Sequence, residues 1–225
     1  MEKKKQAKSE LPKEYKKGSV DFLGCFIDLS YRVFIPRPET EYWTELAVRE
    51  LKGHPFLAAL DMFSGSGCVG IAVLKNIKNS AVDFCEADPR AVKQIKKNLK
   101  INKFGQKRYR VYRSDMFKDL PPAALYDVIL ANPPYVDYNR IGEVQPSVLE
   151  HEPHLALFSG KNGMEAIEEF LAGAKNHLTE KGIIYLEFDA AQVVPIESVL
   201  KKEKYSSWKI FRDQFGRERF ARIEK

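Results

Sequence analysis

The stretch Phe56-Leu57-Ala58-Ala59-Leu60-Asp61-Met62-Phe63-Ser64-Gly65-Ser66-Gly67 decides the fold. Its first seven residues are apolar except for Asp61, a run with the length and composition of a buried strand. Gly65 and Gly67 then let the backbone turn tightly and approach a ligand closely. Residues 69–77 read as a helix, so the turn opens onto a helix N-terminus with unsatisfied N–H groups. Strands and helices alternate from there. Residues 81–85 form a second buried strand ending at Glu86. Asp88-Pro89 starts a helix, since Asp caps and Pro fits the first helical position, and Val92, Ile95 and Leu99 give it one apolar face. Residues 108–112 and 126–131 are further strands and 164–178 a helix. Gly182 marks a break before a strand at 183–188, and two more strands lie near 208–212 and 219–223. This order predicts an α/β fold with a mostly parallel seven-stranded sheet and helices on both faces. Ligands of such sheets sit outside the carboxyl ends of the strands, where the strand order switches. Asp61, Glu86, Asp115 and Asn132 all fall at those ends.

Upstream, residues 22–27 and 31–35 predict a small N-terminal β-hairpin around a turn at 28–30. Pro36 and Pro38 stiffen a connector. A helix follows, because Tyr42, Trp43, Leu46, Ala47 and Leu51 recur at three- and four-residue spacing before Gly53. Residues 1–17 hold seven Lys and three Glu, a net of +4 out of +6 for the chain, so the basic excess is read as a tail. Residues 1–21 are expected to be a flexible arm, solvated or in contact with RNA or the ribosome. Residues 22–225 are expected to be a single catalytic domain, with the hairpin and helix at 22–53. The length of 225 residues suits one domain. No apolar run approaches bilayer length, and no apolar stretch follows the Lys-rich start, which excludes a secretory signal and a membrane role. Cys25, Cys68 and Cys85 are odd in number and lack CxxC spacing, which argues against disulfides or a zinc site and fits a reducing cytoplasm.

The Gly-rich turn does not fit a nucleoside triphosphate, because GxxxxGK[ST] is absent, nor a strict GxGxxG, because Phe63 holds the first glycine position. Glu86 can accept hydrogen bonds from both hydroxyls of a ribose; otherwise it helps to cap the next helix. Asp115 can accept from an adenine amino group or cap residues 116–120. Asn132-Pro133-Pro134-Tyr135 follows the apolar strand at 126–131. Its two prolines fix φ and remove two donors, making a stiff corner rich in acceptors. The Asn132 side-chain oxygen and the Pro133 carbonyl can each accept one N–H of a planar –NH2 group, with Tyr135 stacked on its flat face. The alternative is a plain strand-ending turn.

At these residues the chain resembles a Rossmann-like class I S-adenosylmethionine-dependent methyltransferase, and more narrowly the release-factor glutamine N5-methyltransferase (HemK) family. The narrower likeness rests on Ile35-Pro36-Arg37-Pro38-Glu39-Thr40-Glu41, on Glu152-Pro153 with Ala156-Leu157, on Leu186-Glu187-Phe188 with Gln192, and on Asp213 with Gly216-Arg217-Glu218-Arg219. The resemblance implies that Phe63, Ser64, Gly65, Ser66 and Gly67 line the methionine end of the cofactor, with Asp61 supporting that loop. Glu86 would hold the ribose, and Asp115 with Met116 would border the adenine. Asn132 would touch cofactor and substrate, and Pro133, Pro134 and Tyr135 would complete the substrate pocket, with Asn132, Pro133 and Tyr135 catalytic. The implied substrate is the glutamine of the Gly-Gly-Gln loop in peptide-chain release factors, which places the protein in translation termination. Arg37 would contact that loop or pair with Glu39 or Glu41.

Family members carry a helical N-terminal domain that grips the release factor. Here only residues 1–21 precede the hairpin, so the resemblance implies a chain lacking that domain and gripping its partner differently. The tetrapeptide is also found in enzymes that methylate exocyclic amines of nucleic acids, which leaves a nucleic-acid amino-methyltransferase as the alternative. A cofactor-binding scaffold without catalysis is a third reading, disfavoured by the intact tetrapeptide.

Overall fold

The structure, a computed structural model, describes residues 9–225. The described residues begin with α1 (Lys13–Lys17), β1 (Ser19–Phe22), β2 (Cys25–Asp28) and α2 (Pro38–Leu51). Next come β3 (Leu57–Met62), α3 (Cys68–Asn76), β4 (Ser80–Glu86), α4 (Pro89–Ile101) and β5 (Tyr109–Arg113). The second half runs β6 (Tyr126–Ala131), α5 (Pro146–His151), α6 (Glu165–Ala174), β7 (Leu178–Glu187), α7 (Val193–Lys202), β8 (Ser207–Arg212) and β9 (Glu218–Glu224).

The main sheet has seven strands in the order β5-β4-β3-β6-β7-β9-β8. Strands β3 to β7 are parallel, and β9 joins antiparallel to both β7 and β8. From β3 the chain builds outward through β4 to β5, then returns to the other side of β3 as β6. The switch point therefore lies between β3 and β6, where the crossovers leave in opposite directions and open a crevice. One face of the sheet packs on α2, α3, α4 and the hairpin, with Trp43, Ile71, Phe84 and Ile95 wholly buried. The other face packs on α6 and α7, through Phe170, Leu171, Ile196 and Leu200. Burial on both faces is why β3 and β6 read as nearly unbroken apolar runs. Among the described residues no helix is long and apolar enough to cross a membrane.

Local expectations failed where backbone geometry overrode composition. The hairpin turns at Leu23-Gly24, both in the left-handed region (φ 47° and 78°), a two-residue turn of the kind that matches strand twist. The expected turn at 28–30 exists, but it ends the hairpin: Asp28 accepts from the Ser30 backbone N–H, the turn runs on through Tyr31 to Arg32 at φ 51°, and residues 31–35 pair with no strand. The arm expected over residues 1–21 is folded from Lys13 onward. Helix α1 stops at Gly18 in the left-handed conformation, and the Tyr15 hydroxyl donates to the Val33 carbonyl at 2.6 Å. The first eight residues of that arm lie outside the described residues. Gly182 does not break a strand. Strand β7 runs through it with an irregularity, Leu178 pairing with Tyr126 and Ile183 with Val128. The helix expected over 164–178 ends at Ala174, and one 3-10 turn leads into β7.

Candidate functional site

Outside the carboxyl ends of β3, β4 and β6 lies a cavity of about 790 Å³. Asp61, Phe63, Ser64, Gly65, Ser66, Glu86, Asp115, Met116, Asn132, Pro133, Pro134 and Tyr135 all line it. Gly67, expected among them, does not. It stands at the N-cap of α3 with φ 80°, and a Cβ there would press on Ile71 and Ile95 at 3.3 Å. Its glycine character serves the left-handed entry into α3 and the close packing beneath it.

The loop after β3 is held by its own neighbours. Ser64 Oγ donates to the Asp61 carbonyl at 2.6 Å and accepts from the Cys85 N–H at 3.0 Å. Asp61 Oδ2 takes the Gly70 N–H at 2.9 Å, an approach only glycine permits, since a Cβ would stand 2.5 Å from the Phe84 ring. Burial raises the Asp61 pKa well above the ordinary carboxylate range, and the Glu86 charge adds to the rise. Phe63 occupies the left-handed region at φ 59°, a conformation that strains a side-chain-bearing residue. Its ring packs edge-on against Phe170 with centroids 5.9 Å apart, which fills the space that a glycine would leave.

Glu86 ends β4 with its oxygens divided between two backbone donors. Oε2 accepts from Gly65 N–H at 2.7 Å and Oε1 from Asp88 N–H at 2.8 Å. A carboxylate has about four acceptor sites, so each oxygen keeps capacity for a hydroxyl. Burial raises its pKa, and the two backbone bonds oppose the shift. The helix cap weighed for Glu86 falls to Asp88, which accepts from Arg90 N–H. Asp115 stands at the rim, its side chain 63% exposed and paired with Lys118. Residues 116–120 are not helical, so it caps no helix.

At the end of β6 the geometry holds a feature that local sequence reading missed. The register Ala131↔Leu186 sets Asn132 level with Glu187, the last residue of β7. Glu187 is 1% exposed and accepts from Trp43 Nε1 at 2.6 Å, Thr40 Oγ1 at 2.7 Å and the Tyr135 hydroxyl at 3.3 Å. Burial raises its pKa, and these donors with the Arg219 charge counter that. Because the Thr40 hydroxyl donates to Glu187, its oxygen is left to accept, and it takes Asn132 Nδ2 at 3.2 Å. The polarity of this chain fixes which way the Asn132 amide points. Its Oδ1 bonds no protein group among the described residues and stays accessible, so the cavity meets an acceptor.

The rest of the tetrapeptide is clamped from behind. Gln192 Nε2 donates to the Tyr135 carbonyl at 3.0 Å and to Gly163 O at 3.1 Å. A side chain at Gly163 would meet the Tyr135 carbonyl at 2.0 Å. Burial pushes the Tyr135 hydroxyl pKa up. Arg37 pairs with neither Glu39 nor Glu41. Its Nη2 reaches Glu152 Oε1 at 2.6 Å, and Glu152 Oε2 accepts from Ile35 N–H, which joins the segment at 35–41 to the wall beyond the tetrapeptide. The signal for Thr40, Glu152, Glu187 and Gln192 lay in their matching a family pattern; nothing local to them showed that they would meet.

Residues 38–151 match the family model described as methyltransferase small domain. The chain is 32% identical over 221 residues to the release factor glutamine methyltransferase of Streptococcus pneumoniae, covering 97% of this chain and 77% of the relative. The Lactococcus lactis protein of the same name is 30% identical over 215 residues, covering 95% and 77%. Among solved structures, the Thermus thermophilus 16S rRNA N2 G1207 methyltransferase, in complex with AdoMet and guanosine, superposes with a TM-score of 0.66 at 18% identity. It covers 92% of this chain and 49% of that one, a likeness of fold. A sheet switch point opening on Asn132, and kinship with those relatives over nearly the whole length, place the chain in the release factor glutamine methyltransferase family of class I methyltransferases.

Proposed function

We propose that this protein transfers a methyl group from S-adenosylmethionine to the side-chain amide nitrogen (N5) of a glutamine, that of the Gly-Gly-Gln loop in peptide-chain release factors. The names of the relatives support the substrate. The observation that carries the chemistry is the orientation of Asn132, whose Nδ2 is engaged by Thr40 and whose Oδ1 is left for the cavity.

The residues fit the cofactor. A cavity of about 790 Å³ is of the size that takes a nucleoside-sized ligand. Glu86 retains an acceptor on each oxygen for the ribose hydroxyls. Phe63, Ser64, Gly65 and Ser66 would border the methionine end, with Asp61 beneath the loop and Met116 and Asp115 beside the adenine. S-adenosylmethionine, when bound, supplies an electrophilic methyl group. The chain supplies position. Asn132 Oδ1 and the Pro133 carbonyl accept the two N–H groups of the amide, hold its plane and stabilise the positive charge that grows on nitrogen. The Tyr135 ring restricts the acceptor to one face. No side chain of the tetrapeptide is a general base, and the Glu187 carboxylate is turned to Thr40, Trp43 and Tyr135. The amide proton therefore leaves to solvent after attack.

In this reading residues 22–225 form one catalytic domain, now extended back to α1, and act in the cytoplasm, where three free cysteines are at home. The test offers labelled cofactor with release factor, its Gln-to-Ala loop variant and total RNA. Label on wild-type release factor alone is the expected result. Label on RNA alone would sink the glutamine reading in favour of a nucleobase amine.

A further inference from the structure

Outside the N-terminal arm the chain is close to neutral, but that balance conceals a segregation. Residues 89–114 hold ten Lys and Arg and no Asp or Glu. Lys93, Lys96 and Lys100 recur at three- and four-residue spacing along the exposed face of α4, and exposed Lys103 and Lys107 continue past its end. Spacing of this kind puts the three α4 lysines in one stripe. None of these five makes an ion pair among the described residues. The carboxylate that faces this helix from the hairpin, Asp28, is already paired with Lys97 at 2.9 Å, and Arg90 is paired with Asp88. Like charges at such spacing oppose the helix, and no acid offsets them.

Two exposed aromatic rings flank the stripe on its hairpin side. Tyr31 is 41% exposed and Phe26 46% exposed. Both are tied to α4 through their backbones: Tyr31 N–H donates to Gln94 Oε1 at 2.9 Å, and the Phe26 carbonyl accepts from Asn102 Nδ2 at 2.8 Å. Gln94 and Asn98 are fully buried and bond each other and Asp28, so the hairpin cannot drift from the helix. Unpaired cations in a row beside fixed, solvent-facing rings are what a single strand needs, the first for phosphates and the second for bases.

We propose that the outer face of α4, with Tyr31 and Phe26 of the adjoining hairpin segment, binds single-stranded RNA. The RNA is an anchor and not the methyl acceptor. Helix α4 meets the cavity only at its first turn, through Asp88 and Ala91, on the side of Glu86. The stripe runs away from there.

The test titrates the full chain into a labelled oligoribonucleotide of about 12 nucleotides, following anisotropy at several salt concentrations. The variant Lys93→Gln/Lys96→Gln/Lys100→Gln should weaken binding about tenfold at 0.1 M salt and lower the slope of log K against log salt by about 2. The Arg triple variant at the same positions should bind as wild type. Phe26→Ala/Tyr31→Ala should weaken binding about fivefold with the slope unchanged. A control, Lys161→Gln/Lys181→Gln/Lys201→Gln, removes as much charge elsewhere and should leave affinity within about twofold. Equal losses in control and α4 variants, no RNA binding by wild type, or binding that survives the α4 changes would each overturn the proposal. So would anionic vesicles or polyglutamate displacing the RNA at equal charge concentration.

Discussion

On the β3–β4 side of the cavity, contacts run between close neighbours: Ser64 to Asp61, three residues apart, and Gly65 to Glu86, twenty-one apart. On the β6 side they join segments remote in the chain. Asn132 meets Thr40 across 92 residues, Glu187 meets Trp43 across 144, and Tyr135 meets Glu187 across 52. The first region is a set of turns that any strand ending beside its parallel neighbour can build. The second exists only when α2, β6 and β7 are all in place. A substitution on the first side should therefore change binding, and one on the second should change turnover and the fold together.

The sharpest way to break this contrast is Asn132→Ala. Turnover should fall about 10³-fold, the scale of removing one preorganised group from a transition state, while cofactor affinity by calorimetry changes little. Equal loss of both would make Asn132 a cofactor ligand and erase the division. Glu187→Gln comes next, with a loss of about 10- to 100-fold in kcat, because an amide at 187 can turn an –NH2 toward Thr40 and reverse the polarity that orients Asn132. Cofactor affinity should hold, and the Tm should drop, since Trp43 and Tyr135 lose a charged acceptor. If kcat survives in that variant, the orienting chain is not needed.

Smaller effects belong to the β3–β4 side. Glu86→Gln should weaken cofactor binding about tenfold with kcat at saturation unchanged; a fall in kcat alone would place Glu86 with the acceptor half. Asp61→Asn bears on pH. The folded pKa of Asp61 lies above its unfolded value, so the native state keeps a proton that the unfolded chain has lost. Stability is then lost as pH climbs from about 4 through the raised value. Thermal melts across that window should show a steeper decline for wild type than for Asp61→Asn, and parallel curves would rule out a buried, proton-holding Asp61. The smallest change is expected for Phe63→Gly. Relief of the left-handed backbone, of order 1 kcal/mol, offsets the lost edge-on contact with Phe170 of similar size, so the partly buried ring area decides the sign and unfolding free energy should fall by about 1–2 kcal/mol.

How far each region could be read in advance follows the same division. Strand β6 occupies the span its apolar run indicated, Asp88 caps α4 as its place before Pro89 suggested, and the acids stand at strand ends. These features are local, so composition and spacing report them. The hairpin shows the limit: residues 28–30 have turn-forming side chains, yet Leu23-Gly24 supplies the two positive φ angles that strand twist demands. Gly67 follows Gly65 by two and so reads as part of the ligand loop, but its left-handed φ of 80° at the start of α3, with Ile71 and Ile95 close beneath, shows why it has no side chain. Arg37 has acids two and four residues away, yet its partner Glu152 lies 115 residues on.

By itself, then, the amino-acid order determined an alternating α/β chain, the strand ends at which acids and Asn132 stand, and the stiffness of a double-proline corner. Those follow from periodicity and from the fixed φ of proline, which act within a few residues. Which way Asn132 points was decided by the tertiary structure alone. Its amide takes direction from Thr40, Thr40 from a buried Glu187, and Glu187 from the parallel register of β6 and β7 beside α2. A buried carboxylate must find donors, and the donors that reach it come from parts of the chain that only folding brings within hydrogen-bond distance.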